Sequence, residues 1–82
     1  MSKEREIMAK NLQKYIDSKG IDQRILADYL GVSEMSVSNW VTGSKYPRIN
    51  NIQKMADYFG VLKSDLIEVK EDKASYNTNN EY

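Results

Sequence analysis

Between Gln23 and Val41 two eight-residue stretches, 23–30 and 34–41, are separated only by Gly31-Val32-Ser33. Both carry the start signals of a helix. Asp22 and Ser33 stand where an N-cap belongs, with a side-chain oxygen able to accept from the free N–H groups of a first turn. Ile21 before the first cap can pack against Leu26 four positions inside the helix, and Val32 and Val37 repeat that hydrophobic staple around the second cap. Gly31 is a cheap stop because it takes a positive φ without strain. Leu26, Ala27 and Leu30 then line one side of the first helix, and Val37 with Trp40 lines one side of the second. A three-residue turn brings these faces together at a steep crossing, and the small Ala27 lets the backbones approach.

The flanking segments supply the rest of a core. Met8, Leu12, Tyr15 and Ile16, with Ile7 beside them, form a helical stripe over Lys3–Lys19, with Ser2 as its cap and Gly20 as its stop. Thr42-Gly43-Ser44-Lys45-Tyr46-Pro47 has the Gly, Ser and Pro of a loop. Ile49, Ile52, Met55, Ala56 and Phe59 recur at three- and four-residue spacing, which predicts a fourth helix closed by Gly60. Val61 and Leu62 lead into a last short helix whose Leu66 and Ile67 are expected to seal the open end of the bundle. From Glu68 onward no apolar stripe is sustained, so the chain divides into a folded unit, residues 1–67, and a linker or tail, residues 68–82. The fold class is all-α, a compact five-helix domain with short connections.

Composition narrows the chemistry. With no Cys and no His among 82 residues, disulfides, zinc fingers, thiolate nucleophiles and imidazole bases are excluded, leaving carboxylates and hydroxyls. No motif organises those into a catalytic site, so we expect no enzyme, no catalytic residue, no cofactor and no metal. The chain has no apolar run long enough for a membrane span and no secretory signal, which predicts a cytoplasmic protein without a membrane partner. Formal charge is 0, yet residues 1–67 hold 10 Lys/Arg against 8 Asp/Glu, a formal +2, and residues 68–82 hold 2 against 4, a formal −2. The neutral total is therefore a cancellation between domain and tail, and it does not argue against a nucleic-acid partner.

The stretch QRILADYLGVSEMSVSNW, residues 23–40, resembles the helix-turn-helix of the Cro/C1-type phage repressor family. Gln23, Leu26-Ala27, Leu30-Gly31-Val32-Ser33, Val37-Ser38, Trp40, Gly43 and Pro47 match in register, and INNIQKMADYFGV resembles that family's fourth helix; the likeness spans about residues 5–67. It implies the lambda-repressor-like fold, with the second helix of the pair, Glu34 to Val41, lying in the DNA major groove. Val37 and Trp40 face inward, so Glu34, Met35, Ser36, Ser38 and Asn39 are the candidate base readers. Asn39 can contact adenine at two points, Ser38 can donate or accept, Met35 can touch a thymine methyl, and Glu34 can accept from a cytosine amino group. The likeness places Gln23, at the start of the preceding helix, against phosphate. Lys45, Tyr46 and Arg48 in the following loop, and Arg5 with Lys3 near the chain start, are the remaining backbone-contact candidates. Lys10 and Lys14 read as solvated charges.

The resemblance implies a sequence-specific double-stranded DNA-binding transcriptional regulator, a prophage-type repressor that binds a palindromic operator as a homodimer. One recognition helix reads only a few base pairs, so two copies on half-sites about 34–36 Å apart are expected. Leu62, Leu66, Ile67 and the end of the fourth helix are the candidate dimer surface. Ile25 and Tyr29 depart from the polar residues usual in the family and lie one turn apart, which gives a patch for a protein partner. An antitoxin or other protein-binding module built on the same fold is the alternative.

Overall fold

A computed structural model describes residues 2–69, and every structural statement concerns that span. Three helices stop where a glycine turns left-handed. α1 (Lys3–Lys19) ends at Gly20, α2 (Gln23–Leu30) at Gly31 and α4 (Ile49–Phe59) at Gly60, with φ between 71° and 73°. α3 (Glu34–Val41) ends at Thr42 instead, and α5 (Lys63–Ile67) follows a two-residue link after Gly60. Ser2, Asp22 and Ser33 cap α1, α2 and α3 through their side chains, each accepting from the N–H three residues on, at 3.3, 2.9 and 3.1 Å. No strand occurs among the described residues, and the architecture is the all-α, five-helix domain with a helix-turn-helix expected from the sequence.

The core is one cluster. Met8, Leu12 and Ile16 of α1 meet Leu26, Ala27 and Leu30 of α2, Val37 and Trp40 of α3, Ile52, Met55 and Ala56 of α4, and Leu66 of α5. α3 packs against both α2 and α1, while α5 packs against α1 and α4. Ile21 and Val32 lie against this cluster, as their staple positions require. Val41 packs there too.

Three expectations need correction. Ile49 belongs to the spacing of the α4 stripe but is 65% exposed, because the stripe dips into the core only from Ile52. Leu62 stays 70% exposed, whereas Ile67, expected to help seal the bundle, faces outward, and Leu66, counted in the candidate dimer surface, is fully buried and closes the end. A polar group helps it. The buried Asn11 donates both amide hydrogens of Nδ2, to Leu66 O and to Glu68 O, each at 2.8 Å. Both carbonyls thereby gain partners in place of water. Most of the expected tail, 70–82, lies outside the described residues.

Candidate nucleic-acid interface

α3 sets Val37 and Trp40 in the core, and polar ties hold both of its ends. At its start the Ser33 hydroxyl accepts from Ser36 N–H and sits 3.0 Å from Ser36 Oγ, which ties the Ser36 hydroxyl to the cap. At its end the Asn39 carbonyl accepts from Ser44 N–H at 2.9 Å and Lys45 N–H at 3.1 Å, so the loop after α3 hangs from the helix itself. Between these ends Val37 and Trp40 point inward. Glu34 and Met35 are exposed, Met35 by 68%, while Ser36, Ser38 and Asn39 are half-buried. Val37 and Trp40, three residues apart, share the inward face, and the residues between and before them lie toward the other side of the helix.

Two hollows flank this helix. The first, of about 380 Å³, is bordered by Gln23 and Arg24 from the start of α2, by Glu34 from the start of α3, and by Asp17 and Asp22. The second, of about 410 Å³, is bordered by Ser36 and Trp40 of α3, by Lys45, Tyr46 and Arg48 of the loop, and by Asn51 of α4. Gln23 and Glu34 thus share one side, and Ser36, Lys45, Tyr46 and Arg48 share the other. Lys45 and Arg48 are exposed and carry positive charge at the rim of this second hollow. Pro47 is buried between them, fixing φ where the chain turns into α4. Partial burial, and after it the carboxylate of Glu4, pushes the Tyr46 hydroxyl above its ordinary pKa.

Arg5 borders neither hollow, and its Nε is buried without a hydrogen-bond partner. Lys3 and Lys10 line a separate groove on α1 with Glu6, Ile7 and Val69. Asn51 was not singled out from the sequence, where it reads only as the polar side of α4; its place in the first turn after Arg48 puts it in the second hollow. Ile25 and Tyr29 are both exposed, as expected. Tyr29 is not isolated, since its ring centroid lies 4.6 Å from Tyr58, which meets Phe59 at 5.2 Å, which stacks on Tyr15 at 5.6 Å.

Residues 12–66 match the family model described as Helix-turn-helix. The chain belongs to the helix-turn-helix family. Three solved structures support the same placement. The SOS-response transcriptional repressor LexA from Eubacterium rectale is 31% identical, over 99% of this chain and 94% of that one, with a TM-score of 0.79. A hypothetical transcription factor from Neisseria is 29% identical over 79% and 75% of the two chains, at a TM-score of 0.73. A transcriptional regulator from Listeria innocua is 25% identical over 83% and 67%, at 0.70. A comparison with curated proteins gave no match. The helix-turn-helix likeness therefore runs to bacterial transcription regulators, LexA among them, and is broader than the phage-repressor branch suggested by the motif. The chain is a DNA-binding domain of the helix-turn-helix type. Among the described residues no cluster of three or more acidic or other ligating side chains is placed to hold a metal ion, and no helix is long and apolar enough to cross a membrane.

Proposed function

We propose that this helix-turn-helix protein represses transcription by occupying a palindromic operator as a homodimer, with α3 in the major groove. The observation that carries the proposal is the juxtaposition on α3: half-buried Ser38 and Asn39 with exposed Met35 lie on the helix, and the Lys45, Tyr46 and Arg48 loop flanks it. Ser38 and Asn39 discriminate bases, Lys45 and Arg48 neutralise phosphates, and Gln23 at the start of α2 contacts the backbone on the other side. Glu34 shares the Gln23 hollow with Arg24, which can offset its charge near phosphate. Repression is steric, because bound protein excludes polymerase from the site. The prophage-type role belongs to this proposal, as do the dimer and the cytoplasmic location.

Selection of bound duplexes from a random library, followed by binding at rising salt, tests it. A palindromic site should be enriched, and Ser38→Ala with Asn39→Ala should abolish the preference. Affinity should fall with a log–log salt slope of about 0.9 per phosphate neutralised, and Lys45→Ala should lower that slope by about one unit for all sequences alike. No preference over random DNA sinks the operator reading. The aromatic run from Tyr29 to Tyr15 favours the alternative of a protein-binding module or antitoxin, in which Ile25→Ser with Tyr29→Ser would abolish partner binding and leave DNA binding intact.

A further inference from the structure

Where the other helices of eight or more residues end on glycine, α3 ends on a hydroxyl. Thr42 adopts φ −94° and ψ −7°, and its N–H donates to Ser38 O at 3.1 Å. Its Oγ1 lies 2.9 Å from Ser38 O, 3.3 Å from Asn39 O and 3.1 Å from Ser44 Oγ. A threonine hydroxyl has one hydrogen and two lone pairs, so it donates toward the two carbonyls and accepts from the Ser44 hydroxyl. The Asn39 carbonyl meanwhile accepts from both Ser44 and Lys45 N–H. Thr42 Oγ1 thus touches the carbonyls of Ser38 and Asn39 and the Ser44 hydroxyl, and the Asn39 carbonyl it touches is the one that also holds the Lys45 N–H.

We infer that Thr42 is a positioning residue for DNA recognition, its hydroxyl bracing the loop that carries Lys45 in fixed register with Ser38 and Asn39. The inference rests on the proposed DNA-binding reading. Phosphate contacts set where a protein sits on the duplex and base contacts specify the sequence, so the two sets act together only if their spacing is held. Side chains of a binding site tolerate about 0.5 Å of misplacement before affinity suffers. A glycine C-cap would satisfy the last carbonyls of α3 as well as Thr42 does, but it has no side chain to reach Ser44.

Thr42→Val removes the hydroxyl while keeping the β-branched shape, and Thr42→Ser keeps the hydroxyl while removing the methyl. Each is combined with Lys45→Ala in a double-mutant cycle, with binding measured on the selected duplex at a temperature where thermal unfolding shows every variant folded. Thr42→Val is expected to weaken binding about fivefold, the worth of one ordinary hydrogen bond, and to cost less than twofold once Lys45 is absent. Thr42→Ser should stay within about twofold of the parent chain. A helix cap that contributes only stability cannot produce that dependence on Lys45. In the free protein, amide exchange at Ser44 and Lys45 should quicken in Thr42→Val. The inference is overturned by any of three results: Val binds as tightly as Thr, Ser fails as Val does, or the cycle is additive. Unchanged amide exchange overturns it as well. A parent chain that binds no duplex overturns the DNA reading itself, and is recognised without any variant.

Discussion

Of the two eight-residue helices on either side of the Gly31 turn, α2 sinks Leu26, Ala27 and Leu30 into the core, whereas α3 contributes Val37 and Trp40. α2 ends on a left-handed glycine through backbone bonds alone, while α3 is held at both ends by hydroxyls, Ser33 before it and Thr42 after it. A helix this short is not stable in isolation, so each needs support from outside its own backbone. For α2 that support is burial. For α3 the burial of Val37 and Trp40 is joined by a hydroxyl tie at each end, whereas α2 has a side-chain tie, Asp22, at its start. Exposed positions on either helix, Met35 on α3 and Ile25 on α2 alike, can vary with little cost to folding, and the buried ones cannot.

Substitutions can sharpen or break this contrast. The largest effect should come from Leu26→Ala, a fully buried α2 residue, at about 2–5 kcal/mol in urea unfolding. Met35→Ala on α3 should stay within about 0.5 kcal/mol. Equal losses would erase the distinction. Asn11→Ala strands the Leu66 and Glu68 carbonyls and should destabilise by about 1–3 kcal/mol, again by urea unfolding. Asn39→Ala should cost about 1–3 kcal/mol of discrimination between operator and single-base variants, with a thermal midpoint close to that of the parent. Cap removal probes both helices alike: Asp22→Ala and Ser33→Ala should each cost about 0.5–2 kcal/mol of stability. The smallest effect should come from alkaline pH. Because burial raises the Tyr46 pKa in the folded state, the folded form prefers the protonated phenol. Its contribution is complete below the unfolded value of about 10 and is lost as pH rises through the higher folded value. Tyr46→Phe should flatten that loss in an unfolding series from pH 9 to 12.

The features legible in the sequence are those set by neighbours along the chain. The bounds of α3 follow from Ser33, the Val32 and Val37 staple and the loop signals after it, and the structure places the helix at Glu34–Val41. Side chains at Ile49 and Ile67 were misread because periodicity says which face a residue lies on, not whether another element covers that part of the face. Asn11 gave no signal either, since its two acceptors lie 55 and 57 residues away. At the candidate interface, the outward set on α3 followed from two inward anchors. The grouping of Asn51 with Lys45 and Arg48 depends on how α4 is aimed, and Arg5 owes its buried Nε to packing that spacing cannot express.

The twin bond from Asn11 has a consequence for the order of events during synthesis. α1 leaves the ribosome first but cannot complete its contacts until the carbonyl of Glu68 follows, so the first helix waits for nearly the whole domain. Contacts between sequence-distant elements slow folding relative to purely local ones. Until then Met8, Leu12 and Ile16 of the nascent α1 lack their full set of partners, which makes the incomplete chain the form in which this small domain is most open to aggregation and proteolysis.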